Sequence, residues 1–355
     1  MFIRNQLSFL SNIILKKLFI KKISLCLCLA FFLTLLFKPF PVLAAKSLEK
    51  GFQDIKIISA EKLTYKDGFT KLEGAVQMLV EDLLISAPEV KVYDKKKAEF
   101  LHEVKVSSDK LNIVAKHMEV DLATGLIKIY SGLTEIKQNQ NNYNIDADLQ
   151  TMDYKKGFFT AKSDGKQMTA LHKDLTVTAD EMEGQFNPEA KASPRASSQL
   201  DKVLFIGSVI AKKETSEIKS DKLLIFPQQK LYRAIGDASF IYLEPTKEFR
   251  LKGDFLNLEE LEPNKYVVLA STNSSKKLIN FTSPARKLAG RAKFARLWLE
   301  NDNASEVVFT GDCDIRVDNK RIQGEEVYLD NVNKKMLSNL NRPKAIMLKR
   351  EKLTF

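Results

Sequence analysis

One frame recurs nine times along this chain and narrows what it can fold into. Residues 57–65 read Ile-Ile-Ser-Ala-Glu-Lys-Leu-Thr-Tyr, which leaves Ile58, a small Ala60, Leu63 and Tyr65 at offsets 0, 2, 5 and 7. The frame returns as Ile85/Ala87/Val90/Val92 and Ile113/Ala115/Met118/Val120. It returns in stretched form as Ile145/Ala147/Gln150/Met152 and Val177/Ala179/Met182/Gly184. The remaining copies are Ile218/Ser220/Leu223/Ile225, Leu251/Gly253/Leu256/Leu258, Gly290/Ala292/Ala295/Leu297 and Ile322/Gly324/Val327/Leu329. The second position is Ala, Ser or Gly every time, and successive copies lie 27 to 41 residues apart. A loose period of this size marks a repeat architecture.

Steps of two keep side chains on one face of a strand. The central step of three throws the second half to the other face unless a bulge adds a residue and bends the strand. A small residue beside that bend suits a corner too tight for a large side chain. Each frame is followed by a second alternating run, such as Leu72-Glu73-Gly74-Ala75-Val76 or Phe205-Ile206-Gly207-Ser208-Val209, in which the mid-strand Gly also signals a bend. Turn-prone clusters such as Tyr65-Lys66-Asp67-Gly68 separate the two runs. The expectation is an all-β meander of nine copies, each copy two bent strands. After the first 45 residues no stretch sustains a 3.6-residue apolar period. Residues 187–200 are poor in bulky apolar side chains and are expected to form an exposed loop, which accounts for the 41-residue spacing. The pattern continues on both sides of it, so residues 46–355 form one continuous repeat domain.

Residues 1–45 stand apart. Arg4, Lys16, Lys17, Lys21 and Lys22 precede an apolar run from Ile23 to Phe37, followed by Val42-Leu43-Ala44-Ala45. A basic start, a 15-residue apolar run and small residues at a cleavage position predict a secretory signal. The alternative is an uncleaved inner-membrane anchor, for which the run is short against the roughly 20 residues a spanning helix needs. The whole chain carries +11, and without the signal 50 Lys and Arg face 45 Asp and Glu. These charges are interspersed, which argues against nucleic acid as a partner. Cys26 and Cys28 lie in the signal, so Cys313 is the one thiol of the exported part, and its fold relies on burial and backbone pairing.

Ile58-Ser59-Ala60-Glu61-Lys62-Leu63-Thr64-Tyr65 with Leu72-Glu73-Gly74-Ala75-Val76 resembles the I-x-A-D-x-L-x-Y … G-x-V phrase of OstA-like proteins, and Ile145-Asp146-Ala147-Asp148 and Thr178-Ala179-Asp180 echo it. That family comprises the periplasmic lipopolysaccharide-transport proteins LptA, LptC and the N-terminal domain of LptD. The resemblance is strongest over residues 55–186 and continues as scattered copies to 330. It implies an elongated folded-over β-jellyroll whose apolar slot holds the acyl chains of lipid A. It also implies partners of similar fold, the inner- and outer-membrane transport components, joined edge to edge, and self-association by the same route. About 310 residues after the signal is long for LptA or LptC, and no barrel sequence of the LptD kind follows.

The residues expected to line the interior and touch lipid are Ile58, Leu63, Val76, Ile85, Val90, Val104, Ile113, Met118, Val209, Ile218 and Leu223. The competing expectation is an interior that only packs against itself. Enzyme chemistry needs a positioned cluster of acids, bases or metal ligands. His102, His117 and His172 are the only histidines, none at ligand spacing from another, and the acidic residues are spread through turns. No catalytic residue, metal or cofactor is expected. A non-enzymatic periplasmic scaffold that recruits partners by strand addition is the alternative to a lipid carrier. Eighteen strands spaced as in a sheet would form a rod of roughly 85 Å with two unpaired edges. Residues 55–65 would be one edge and residues 343–355 the other, the latter with Lys344, Lys349, Arg350 and Lys352 to favour an acidic partner.

Overall fold

The computed structural model describes residues 55–66, 68–94, 96–137, 142–186, 200–242, 248–274, 277–300, 303–330 and 335–338. The chain divides into two units, Met1–Lys50 and Gly51–Phe355, and every described residue belongs to the second. The signal expected at residues 1–45, the loop over 187–199 and the edge over 343–355 lie outside the described residues. Leu200, expected to end that loop, is instead the buried first residue of a strand, opposite Phe186.

The described strands are β1 (Ile55–Ser59), β2 (Lys62–Lys66), β3 (Phe69–Val80), β4 (Leu83–Tyr93), β5 (Lys97–Ser107), β6 (Leu111–Asp121), β7 (Leu126–Ile136), β8 (Tyr143–Asp153), β9 (Phe158–Lys162), β10 (Met168–His172), β11 (Leu175–Ala179) and β12 (Glu181–Phe186). They continue as β13 (Leu200–Lys213), β14 (Ser216–Phe226), β15 (Leu231–Tyr242), β16 (Phe249–Glu262), β17 (Lys265–Ser271), β18 (Ile279–Ser283), β19 (Leu288–Ala292), β20 (Phe294–Glu300), β21 (Asn303–Val317), β22 (Lys320–Asp330) and β23 (Lys335–Ser338). All the pairings are antiparallel, and each rung between the two ends pairs with the rung before and the rung after it along the chain. Five rungs are interrupted at the corner and appear as strand pairs: β1 with β2, β9 with β10, β11 with β12, β17 with β18 and β19 with β20. Counting each interrupted rung once, the described strands make eighteen rungs, two for each of the nine copies. The described residues of the second unit form an all-β, elongated, folded-over jellyroll.

Every rung before β23 bends at its middle, so its halves belong to two layers; β23 is described in one layer only. Layer one holds β1, β10, β11, β18 and β19 with the adjoining halves of the long strands. Layer two holds β2, β9, β12, β17 and β20 with the other halves. The layers meet through their inner faces: Phe281 of layer one stacks on Phe309 of layer two with ring centroids 3.8 Å apart. Ile218 and Phe240 of layer one share an interior gap with Tyr232, Ala234 and Leu256 of layer two.

The frame strand turns the corner with its step of three, so Ala87 and Val90, Ala115 and Met118, and Ser220 and Leu223 all point inward and are buried. The sequence places the bulge in this strand, but where a corner bulge forms the extra residue sits in the second strand of the copy; β7 turns the corner opposite β6 without one. Gly74 and Ala75 together oppose Pro88, and Gly207 and Ser208 together oppose Asp221. The second strand therefore needs a step of four to keep its face: Leu72 to Val76, Phe100 to Val104, Phe205 to Val209, and Phe309 to Cys313 are all buried. Both residues of these corner bulges have positive φ, for example Gly207 at 79° and Ser208 at 45°. Glycine is the residue that takes the first of these positions without a Cβ clash. Here a second reason applies, because a Cβ on Gly207 would collide with the Asp180 carboxylate, and one on Gly236 with that of Asp221. The acidic residue after the small frame residue thus occupies the space the glycine leaves.

The corner is as tight as the small frame position implies. A Cβ on Gly132 would lie 3.1 Å from the Cβ of Ala115. Gln150 takes an inward frame position and is 3% exposed; its amide donates to the carbonyls of Gly132 at 2.6 Å and Ile145 at 3.3 Å, so the buried polar group is satisfied. On the outer face, half-buried ladders such as Lys71–Glu73–Glu89 and Lys97–Glu99–Glu119 run across neighbouring strands. Such pairs contribute little each.

Candidate functional site

The interior between the layers is the candidate site. Val76, Ile85, Val90, Val104, Ile113, Met118, Val209 and Leu223 are each no more than 1% exposed, and Ile218 is half-buried against the same core. The structure brings these nine together along one continuous apolar interior.

Ile58 and Leu63 depart from the expectation. Ile57, not Ile58, stands opposite Met78, and Ile58 falls at the register shift between Ile57 and Ser59, 49% exposed. Leu63 does face inward, since it pairs with the buried Leu72, yet it is 62% exposed. No described rung of layer one lies over this first rung of layer two, so its inner face is uncovered. The largest side chains of the interior escaped the sequence reading: Phe100, Phe240, Phe281 and Phe309 are fully buried. Each belongs to the neighbourhood of a second-strand bend, and a step of four in those runs was the signal that could have found them.

Opposite the corner the layers end in two rims of turns. In the N-terminal part these rims are latched. The Tyr154 hydroxyl of the layer-two rim donates to Asp82 Oδ1 of the layer-one rim at 2.7 Å, and Lys155 Nζ lies 3.3 Å from Glu81. Burial, reinforced by the Asp82 carboxylate, pushes the Tyr154 phenol well above its ordinary pKa. Further along, Lys213 Nζ of layer one reaches Tyr266 Oη of layer two at 3.4 Å.

Between these latches the rims part around a recess of about 460 Å3. Its floor is apolar and belongs to the interior: Ala170, Val177, Met182, Leu200, Val203 and Phe205. Its rim is polar and drawn from both layers, with Lys173, Asp174 and Lys213 on one side and Lys230 and Glu260 on the other. Tyr143 and His172, cross-strand partners, stack in one wall at 3.9 Å between centroids. Burial pushes His172 down to about 4, so it is neutral near pH 7. Lys213 lies 3.5 Å from Asp174; burial opposes its charge, but Tyr266 and Asp174 outweigh burial and hold its pKa above the usual lysine value. Lys230 and Glu260 pair at 2.7 Å.

Of the other histidines, His117 stacks on Tyr130 at 4.8 Å and His102 sits exposed in a corner bulge. Cys313 is buried against the interior, and burial pushes its thiol up to about 11. Among the described residues, no group of three or more His, Cys, Asp or Glu side chains is placed to hold a metal, and no helix is long and apolar enough to cross a membrane.

No family model and no curated protein matches the chain. Solved structures similar to it include the crystal structure of LptH, the LptA-homologous periplasmic component of the lipopolysaccharide transport device of Pseudomonas aeruginosa. That protein is 8% identical, and the match covers 48% of this chain and 88% of that one with a TM-score of 0.22. An overlap at that score is too loose to carry an argument.

Proposed function

We propose that this chain is a periplasmic lipid carrier, acting in lipopolysaccharide transport to the outer membrane by holding acyl chains between its two layers. The observation that carries the reading is the recess: a polar-rimmed opening whose apolar floor is continuous with a jellyroll interior. A chain buried there gains about 0.8 kcal/mol per methylene. A dozen carbons supply roughly 10 kcal/mol before the costs of association, enough to hold a lipid out of water. The OstA-like phrases in the sequence support lipid A as the source of those chains. The lysine–glutamate ladders of the outer face suit a carrier surrounded by water.

Mass spectrometry of lipid extracted from the protein, purified from a host that makes lipopolysaccharide, tests this. Lipid A species are expected at close to one per chain. Protein that purifies free of lipid, and takes none up when offered lipopolysaccharide, would overturn the reading.

One observation favours a second role, as a scaffold that recruits partners by strand addition. Strand β1 pairs on one side with β3, and Ile55, Ile57, Ile58, Leu63 and Tyr65 are exposed at that end. Uncovered strand edges with apolar side chains are what strand addition uses. Both roles are compatible in one protein, and Ile57→Pro, which blocks pairing at β1, separates them. Loss of partner binding with lipid retained supports the second role, and unchanged partner binding contradicts it.

A further inference from the structure

The recess places three ammonium groups around an apolar floor, and their pairing is unequal. Lys213 is shared between Asp174 and Tyr266, and Lys230 is held by Glu260. Among the described residues no carboxylate pairs with Lys173, which is exposed at the turn between β10 and β11. Among the described residues three cations and two carboxylates line the rim, an excess of one positive charge. His172 adds none, because burial keeps it neutral. Tyr143 and Tyr232 also line the recess. The floor below is wholly aliphatic and aromatic, and the volume falls within the roughly 300–1,000 Å3 of small-molecule sites.

We propose that this recess is an amphiphile site of its own, taking one acyl chain on its floor and the anionic head group of a phosphate monoester at Lys173, with Lys213 and Lys230 alongside. It is the place on the chain where the polar end of a carried lipid is read, while the interior beneath reads only its apolar part. The inference rests on the lipid-carriage reading and adds selectivity for head-group charge. The chemistry follows from the excess charge. An anionic head group gives the Lys173 ammonium a charged partner, whereas an uncharged head group leaves it with water alone. A charge-assisted hydrogen bond at a partly covered site is the stronger kind.

Titration calorimetry on the full chain, with probes of one chain length below their micelle concentrations, tests it. Dodecyl phosphate should bind about tenfold more tightly than dodecyl maltoside, about one charge-assisted contact's worth of preference. Lys173→Glu should bring the two within about twofold of each other, the charge reversal cancelling the same preference. Lys162→Glu, an exposed lysine on the outer face, should leave the preference intact and controls for net charge. Equal binding of the two amphiphiles by the unaltered chain would overturn head-group reading at the recess and leave lipid carriage standing. Binding of neither would overturn both. Inorganic phosphate alone binding as tightly as dodecyl phosphate would mark a free-phosphate site and overturn the amphiphile assignment. Circular dichroism of Lys173→Glu checks that it is folded. If it is not, Lys173→Gln, which removes the charge without reversing it, takes its place with the same expected loss of preference.

Discussion

Leu63 and Leu223 occupy the same position of the repeat, and both point to the inner face of layer two, yet one is 62% exposed and the other is wholly buried. Their strand neighbours are alike: Leu63 stands opposite buried Leu72, Leu223 opposite buried Phe205. The difference comes from the other layer. Contacts across the mouth join a layer-one residue to a layer-two residue several rungs later, as in Asp82 with Tyr154 and Lys213 with Tyr266. The layers therefore cross at a slant. Leu223 lies under rungs that precede it, whereas the rungs that would cover Leu63 would have to precede β1. The frame specifies which face a side chain takes, and the slanted neighbour decides whether that face meets protein or water.

The largest expected effect sharpens this contrast directly. Leu223→Ala should cost about 2–5 kcal/mol, the range for opening a cavity in a filled interior. Leu63→Ala should change stability by under about 0.5 kcal/mol. Urea unfolding of the two variants measures both, and equal losses would mean that the first copy is covered as the others are. Next in size, Ala115→Phe forces a ring into a corner where Gly132 already lies close, and should cost roughly 1–3 kcal/mol. Unchanged melting temperature there would break the corner geometry.

Most of the architecture is written locally. The frame with its small second position marks all nine corners, because a tight bend between two apolar faces tolerates little else. What escaped depends on partners distant in the chain. The bulge belongs to the second strand because register with the frame strand, not the frame itself, decides where the extra residue goes. Ile58 yields its inward place to Ile57 through one such shift. The recess was not legible either. Tyr143 and His172 meet through the pairing of β8 with β10, and Lys230 comes to the same opening only because the layers cross.

The latched and open stretches of the mouth give a second contrast with smaller effects. Tyr154→Phe removes the hydroxyl that joins the rims at Asp82 and should cost roughly 0.5–1.5 kcal/mol. It should also raise hydrogen exchange in the turn at residues 81–82, while the turn at 173–174, already beside an opening, should exchange as before. Similar changes at both turns would mean that the contact does not latch the mouth.

The smallest effect concerns pH. Burial holds the folded pKa of His172 at about 4, below the ordinary imidazole value of 6.5, so between these values the unfolded chain binds more protons. Its contribution to stability is present above about pH 6.5 and is lost as pH falls toward 4. The groups around it in the recess are Tyr143, Lys173, Asp174, Lys213 and Tyr232. His172→Gln should flatten the stability profile over that window, as read by thermal melts at a series of pH values. A profile as steep as that of the unaltered chain would assign the dependence to other groups.

The central claim is that acyl chains occupy the space between the layers, and site-specific photo-crosslinking tests it most directly. A photoreactive side chain at Ile113 or Leu223, both buried on the inner faces, should capture lipopolysaccharide in cells. The same group at Lys62 or Lys105, exposed on the outer face, should capture none. Labelling confined to the inner positions is the result this account predicts. Equal labelling at inner and outer positions, or none at either, would contradict it.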